Sequence, residues 1–148
     1  MRKNGNKGRR TLFTLTDTGP LVSLIDADDP HHLQADDALK RLPTVPLLTT
    51  WPCFTEAMYL LYQADGYRAQ EELWRYVADG LVHLYVHSEA EWRRMRELMA
   101  QFWDAPMDLA DASLVAVAET LSLRRIFTFD SHFYAYRTAD GNTLEVVS

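Results

Sequence analysis

One stretch near the C-terminal end of the chain decides the fold: MDLADASLVAVAE at residues 107–119, followed by RRIFTFD at residues 124–130. Its first half predicts a helix, because apolar residues recur at helical spacing up to Leu121. Asp111 lies on the same face one turn earlier, where the helix macrodipole favours an acid. The second half predicts a buried strand that emerges at Asp130. The stretch therefore offers two carboxylates to one site, since ligands of open α/β sheets bind at the carboxyl ends of the strands.

Two further acids occupy similar places upstream. Asp17 follows a first predicted strand at residues 11–16 and precedes an apolar helix at residues 21–27. Glu56 lies three residues after Cys53 on the helix that follows the second predicted strand, which puts it on or beside the apolar face of that helix. A charge in such a place is costly unless it is paired or bound to a cation.

Strands and helices alternate along the chain in the order β-α-α-β-α-α-β-α-α-β, with a short last strand near the C-terminus. This alternation predicts an α/β fold with a mainly parallel sheet flanked by helices on both faces. Neither an internal repeat nor a linker is visible. We therefore expect one domain at residues 11–148, preceded by a flexible basic tail at residues 1–10.

Composition narrows the class of protein. The chain has 148 residues, of which 47% are hydrophobic, and no apolar run is long enough to span a membrane. No apolar signal-peptide core follows the basic N-terminus. Cys53 is the single cysteine, which favours a reducing cytoplasmic location.

The charge is unevenly distributed. The formal net charge is −6, but five of the 15 basic residues lie within residues 1–10, which leaves 10 basic against 21 acidic side chains in the remainder. A uniformly acidic surface would repel nucleic acid. Acids gathered in one pocket would instead recruit cations, and composition alone does not choose between these two arrangements.

Four acids are predicted to meet at one edge of the sheet, because parallel strands end on the same side: Asp17, Glu56, Asp111 and Asp130. Such neighbours repel one another and raise each other's pKa, and divalent cations relieve that repulsion. Oxygen ligands suit Mg²⁺ or Mn²⁺, whereas the scattered histidines and the single cysteine do not have the spacing of a zinc site. The cluster therefore predicts metal-assisted hydrolysis of a phosphodiester.

The acids lie in four recognisable motifs, which are Thr16-Asp17-Thr18-Gly19-Pro20-Leu21, Thr49-Thr50 with Glu56-Ala57, Asp111-Ala112-Ser113-Leu114-Val115, and Thr128-Phe129-Asp130-Ser131-His132-Phe133. In this order and spacing the chain resembles PIN-domain ribonucleases, most closely the VapC-type toxins of bacterial and archaeal toxin–antitoxin pairs. The resemblance covers nearly all of the chain apart from its basic tail.

The resemblance implies a sheet of strand order 3-2-1-4-5 and a catalytic tetrad of Asp17, Glu56, Asp111 and Asp130. It implies that Mg²⁺ or Mn²⁺ is held by Asp17 and Asp111. It further implies an RNA substrate, frequent homodimers, and inhibition by a small cognate antitoxin that inserts a segment into the active site.

Other side chains lie near the motifs without belonging to the tetrad. Asp108, one turn before Asp111, is expected to cap the helix rather than to lead the metal shell. Thr128 is placed to hydrogen-bond a ligand carboxylate. Arg124 and Arg125 could contact RNA, although charge complementarity at a helix C-terminus explains them equally well. His31 and the adjacent His32 point about 100° apart on a helix and are interpreted as surface residues.

Other functions compete with this interpretation. Asp17-Thr18-Gly19 matches the aspartic protease signature, but those enzymes use an all-β fold and two such loops. A Gly-rich phosphate loop is missing after the first strand, which argues against a nucleotide-binding fold. A non-catalytic RNA- or protein-binding PIN module, and a PIN nuclease of RNA maturation without an antitoxin, remain as alternatives.

Overall fold

The computed structural model describes residues 13–148, so the predicted basic tail lies outside the described residues. The elements follow in the order β1 (Thr14–Thr16), α1 (Thr18–Ile25), α2 (His32–Arg41), β2 (Leu47–Thr50), α3 (Trp51–Ala78), β3 (Val82–Tyr85), α4 (Glu89–Gln101), α5 (Leu109–Leu121), β4 (Arg125–Phe127), a 3-10 helix (Ser131–Tyr134) and β5 (Glu145–Val147). Among the helices of this part of the chain, none combines the length and apolar character that crossing a bilayer requires.

The sheet has five strands in the order β3-β2-β1-β4-β5. All four strand pairings are parallel. The predicted order is therefore confirmed, and the sheet is parallel throughout rather than only in the main. Every strand ends at the same edge, which brings the segments after β1, β2 and β4 together.

Helices cover both faces of the sheet, and neighbouring strand residues divide between them. Leu48 and Ile126 belong to a core with α4 and α5. Leu47 and Phe127 belong to a second core with α1, α2 and α3. Alternate residues of a strand point to opposite faces, so the two cores are the two sides of one central sheet.

Local sequence explains where the helices start. Asp17 is the N-cap of α1, with its side chain accepting from the Thr18 backbone, so this helix begins three residues before the predicted start. Thr50 caps α3, with a proline in its first turn. Ser88 followed three residues later by Glu91 is the sequence pattern that predicts a capping box, and the two residues form one at the start of α4.

The long helix α3 is interrupted in the middle. Asp65 and Gly66 have non-helical backbone angles, and Gly66 has a φ of 62°. Glycine adopts this left-handed conformation without a steric penalty. The sequence predicts two helices here, one that ends near Ala64 and one that begins at Tyr67, and the break confirms them.

Helical spacing overstated the burial of several apolar side chains. Trp92 lies at helical spacing with Met95 and Leu98 of α4, a pattern that predicts a core position, yet it is 62% exposed. Leu33 of α2 is 80% exposed. Spacing identifies one face of a helix, but other elements decide how much of that face they cover.

Candidate active site

Three carboxylates converge at the carboxyl edge of the sheet. Each of Asp17, Asp111 and Asp130 offers one oxygen, and these oxygens all lie within 4.8 Å of one another. Asp17 and Asp111 are buried, and Asp130 is partly buried. Asp17 and Asp130 are far apart in the sequence, but the parallel strands before them end at the same edge of the sheet, as expected.

Asp17 is fixed from two sides. One carboxylate oxygen accepts from the Thr18 backbone N–H at 2.8 Å. The other accepts from the Thr128 hydroxyl at 2.8 Å, which is the contact that was predicted for Thr128. Burial raises the pKa of Asp17 to about 6, and these two hydrogen bonds oppose the rise. The ionised carboxylate of Asp17 is therefore not stabilised by water.

Asp111 is held by a residue that sequence analysis missed. The Tyr136 hydroxyl donates to the Asp111 carboxylate at 2.8 Å. Burial raises the pKa of Asp111, with the Tyr136 hydrogen bond opposing the rise and the charge of Asp108 adding to it. Tyr136 is itself fully buried, and the run of aromatic residues Phe133, Tyr134 and Tyr136 after Asp130 is the signal that could have suggested it.

Asp108 is the N-cap of α5, as expected. Its carboxylate accepts from the Asp111 backbone N–H at 2.8 Å. In return the Asp111 carboxylate accepts from the Asp108 backbone N–H at 3.4 Å, which completes a capping box. Asp108 thus lines the site without belonging to the three-oxygen group.

Asp130 lies beyond the end of its strand, because β4 ends at Phe127 rather than at Phe129. It caps the following 3-10 helix and accepts from the His132 backbone N–H at 2.9 Å. The His132 ring nitrogen lies 2.9 Å from the same carboxylate. The Asp130 backbone N–H donates to Thr128, so one threonine orients two acids.

Glu56 stands apart from the other three acids. It is exposed, and its carboxylate meets the Thr18 hydroxyl at 3.4 Å. Partial desolvation raises the pKa of Glu56, and the charge of Asp108 adds to this. The predicted four-acid cluster is therefore a group of three, with Glu56 on the wall of the same cavity.

We call this cavity of about 330 Å³ the acidic pocket; its lining includes Asp17, Glu56, Asp108, Asp111 and Asp130. Within residues 13–148, no lysine or arginine lines it. The described part of the chain also forms no ion pair with Asp17 or Asp111. Buried carboxylates without a cationic side chain fit a hard divalent cation.

Other groups near the site do not change this donor set. The Cys53 sulfur lies 4.0 Å from an Asp17 oxygen, but burial raises the pKa of this thiol to about 12. Arg124 pairs with Asp140, and Arg125 donates to Thr14 at the start of the sheet. The two arginines are thus engaged away from the acidic pocket.

Comparison with known proteins agrees with this architecture. The chain is 25% identical to Ribonuclease VapC26 of Mycobacterium tuberculosis over 134 residues, which cover 90% of this chain and 98% of the relative. The crystal structure of VapC20 from Mycobacterium tuberculosis, described as a sarcin-ricin loop cleaving toxin, aligns with a TM-score of 0.76 at 20% identity, over 82% of this chain and 93% of that one.

Two complexes share the fold at lower identity. A toxin–antitoxin complex from Klebsiella pneumoniae aligns with a TM-score of 0.60 at 18% identity, over 80% of this chain and 87% of that one. VapBC2 from Rickettsia felis, bound to a DNA fragment from its promoter, aligns with a TM-score of 0.64 at 12% identity, over 92% of this chain and 99% of that one. Residues 14–139 match the PIN domain family, and the chain belongs to it.

Proposed function

We propose that this chain is a metal-dependent endoribonuclease that acts as the toxin of a toxin–antitoxin pair. The observation that carries the proposal is the group of three carboxylate oxygens within 4.8 Å of one another at the edge of a PIN sheet. The similarity to Ribonuclease VapC26 over 90% of the chain supports the choice of RNA as substrate.

The roles of the residues follow from their positions. Asp17, Asp111 and Asp130 would hold Mg²⁺ or Mn²⁺ through oxygen ligands. When bound, the ion supplies a water of lowered pKa and neutralises charge on the scissile phosphate. Thr128 and Tyr136 keep the carboxylates of Asp17 and Asp111 in place by donating hydrogen bonds.

Glu56 has the position of a proton acceptor. Its carboxylate lines the acidic pocket without belonging to the three-oxygen group, and its pKa is raised by partial desolvation. A carboxylate in that condition is suited to orient the attacking water and to take a proton from it. The set Asp17, Glu56, Asp111 and Asp130 then forms the catalytic group.

A small antitoxin fits the electrostatics of the same pocket. Acids without basic neighbours among the described lining residues attract a basic or polar segment of a partner. Two structures of the same fold are complexes whose names describe a toxin with its antitoxin or a VapBC pair. With RNA as substrate, we place the reaction in the cytoplasm.

Inducing the chain in a bacterial host is expected to produce discrete new RNA 5′ ends, because an endonuclease that recognises the bases beside the scissile phosphate cuts at the same positions in each transcript. Sequencing of RNA ends after induction of the wild type and of Asp17→Asn measures this. New ends with the wild type and none with the variant are the expected result.

The matched control is co-expression with a candidate antitoxin, chosen as a small protein encoded directly upstream where the native genome has one. If that protein is the antitoxin, the new ends disappear and growth resumes. Cleavage that persists beside it, together with unimpaired growth of the induced wild type, would favour a PIN nuclease of RNA maturation. Absence of new ends in every strain would leave the non-catalytic binding module.

We further propose that two copies of the chain associate through an apolar face. Its exposed side chains are Trp51, Val86, Trp92 and Leu109, from the starts of α3 and α5, the end of β3 and α4. They border a cavity of about 620 Å³ that also contains Met95. Large exposed apolar patches on globular proteins mark association sites.

Trp92→Glu is therefore expected to convert a dimer into a monomer, because it places a charge at the centre of a contact that both copies share. Light scattering after size exclusion should give twice the 17.1 kDa chain mass for the wild type and one chain mass for the variant. Leu33→Glu, at a more exposed leucine outside this face, is the control and should remain dimeric. A monomeric wild type would refute the dimer.

A further inference from the structure

Beside the acidic pocket lies an aromatic feature that the proposed chemistry leaves without a role. The His31 ring stacks on Phe129, with ring centroids 4.7 Å apart and an interplanar angle of 17°. Phe129 follows β4 directly before Asp130, and His31 precedes α2. The pair therefore joins two segments that are about 100 residues apart in sequence, at the rim of the site.

The pair is held firmly on its protein side. Phe129 packs edge-on against buried Phe127, with centroids 5.9 Å apart. The His31 backbone N–H donates to Asp29 at 2.8 Å, and the Ser23 hydroxyl of α1 donates to the same Asp29 oxygen at 2.9 Å. Rings anchored in this way lose little conformational freedom when a ligand binds.

The outer side of the pair remains accessible. Phe129 covers one face of the His31 ring, yet the His31 side chain is still 51% exposed. The ring makes no side-chain cap bond to α2, although His31 is the N-cap residue of that helix. An exposed ring that does not serve its own helix is available to an external partner.

Two cavities meet at these rings. His31, Phe129 and Asp130 line the acidic pocket, and they also line a second cavity of about 130 Å³. We call this second cavity the aromatic notch; its lining also includes Gln34, Ser131 and Tyr134. A strand whose phosphate lies at the carboxylates would place its neighbouring nucleotide at the notch.

The charges around the two cavities indicate which contacts can bind the neighbouring nucleotide. Among residues 13–148, neither cavity has a lysine or arginine in its lining. Phosphate contacts from basic side chains, the usual source of affinity for nucleic acid, are therefore missing at this place in the described chain. Stacking of bases on aromatic rings is the other general source of affinity for single strands, and it works without charge.

We propose that His31 and Phe129 form a stacking platform for one unpaired base of the RNA substrate, in the notch next to the scissile phosphate. Gln34 and Ser131 offer an amide and a hydroxyl to the edge of that base, so the platform contributes to the choice of cleavage site. This inference deepens the proposed function and rests on it.

Removing the ring at position 31 tests the platform. With a single-stranded RNA oligonucleotide in Mn²⁺, His31→Ala is expected to lower kcat/KM about tenfold, mainly through KM, as for the loss of one stacked base. His31→Phe keeps a planar ring and should stay within about threefold of the wild type. Leu33→Ala, at an exposed position in the same first turn of α2, is the matched control.

A second measurement does not depend on catalysis. Adenosine and uridine monophosphates are titrated into the protein in EDTA, and the imidazole C–H resonances of His31 are followed by NMR. Concentration-dependent shifts in the wild type that disappear in Phe129→Ala support the platform. Loss of binding with unchanged circular dichroism separates a missing contact from a misfolded variant.

The two measurements separate failure of the platform from failure of the proposed function. If the wild type cleaves no RNA but the nucleotides shift His31, the nuclease is wrong and the base site stands. If the wild type cleaves RNA, His31→Ala behaves like Leu33→Ala and the nucleotides cause no shift, the platform is overturned while the nuclease stands. Equal loss of kcat/KM in His31→Ala and His31→Phe also overturns stacking.

Discussion

Cleavage of single-stranded RNA by the purified protein is expected to fall by about a thousandfold or more in EDTA, and to return with Mg²⁺ or Mn²⁺. The reason is the donor set: three carboxylates gathered within 4.8 Å carry no positive charge to neutralise the phosphate or to lower the pKa of an attacking water. Loss of a single electrostatic donor in an enclosed site already costs about 10²–10³-fold in rate, and the ion acts on nucleophile and phosphate together. Gel analysis of a labelled oligonucleotide measures the effect.

Asp17→Asn is the matched variant for this experiment. It keeps the shape of the side chain. Its amide oxygen can still accept from the Thr18 backbone N–H, and its amide nitrogen can donate to the Thr128 hydroxyl oxygen. We expect it to fold, and to remain inactive when Mn²⁺ is restored. Undiminished cleavage by the wild type in EDTA would refute the metal mechanism, whatever the variant does.

Metal binding by these carboxylates should also change the thermal stability of the protein. The pKa of Asp17 rises from 3.8 to about 6 on folding, so its contribution to stability is present below pH 4 and is lost as the pH rises towards 6. That loss is on the order of 3 kcal/mol, because each pKa unit corresponds to about 1.4 kcal/mol. The buried charge of Asp17 therefore destabilises the ion-free protein at neutral pH.

A bound cation should offset that destabilisation. We expect saturating Mn²⁺ to raise the Tm by about 5–10 °C at pH 8. The rise should be smaller at pH 5, where the carboxylates retain protons. Asp17→Asn should show little rise at either pH, because it has lost a ligand. Equal shifts for wild type and variant would place the ion elsewhere.

Much of the fold could be predicted from the residue pattern, because helix caps and helix breaks depend on neighbouring residues in the sequence. Asp17 after a strand, Ser88 before a helix and Gly66 at a break act through bonds to near neighbours. The convergence of Asp17 with Asp111 and Asp130 then follows from parallel topology, in which all strands end at one edge. Local rules plus one topological rule were sufficient for the three acids.

What escaped prediction depends on contacts between distant side chains. Tyr136 reaches Asp111 from a segment 25 residues later, and His31 meets Phe129 across about 100 residues. Periodicity has no information about such pairs. The exposure of Trp92 escaped for a related reason, since spacing defines a helix face but not the elements that cover it.

Asp111→Asn is expected to be folded and to lose RNA cleavage by about a thousandfold or more, as for the loss of a charged group in an enclosed site. Its carboxylate is one of the three clustered oxygen donors, whereas its structural contacts tolerate an amide. Asparagine can place its amide oxygen at the position of the Asp111 Oδ2, which accepts from both the Asp108 backbone N–H and the Tyr136 hydroxyl. Removing a buried charge with a raised pKa should leave the ion-free fold at least as stable at neutral pH.

Asp108→Asn is the natural counterpart, three residues earlier and with the same chemical change. Its carboxylate caps α5 by accepting from the Asp111 backbone N–H, and asparagine caps helices about as well as aspartate. We expect its cleavage rate to stay within about tenfold of the wild type, because only a neighbouring charge is lost. Tm and cleavage rates at saturating Mn²⁺, measured side by side for both variants, decide between ligand and cap. An active Asp111→Asn beside an inactive, well-folded Asp108→Asn would exchange the two roles, because it would show that the capping carboxylate is the one that reaches the ion.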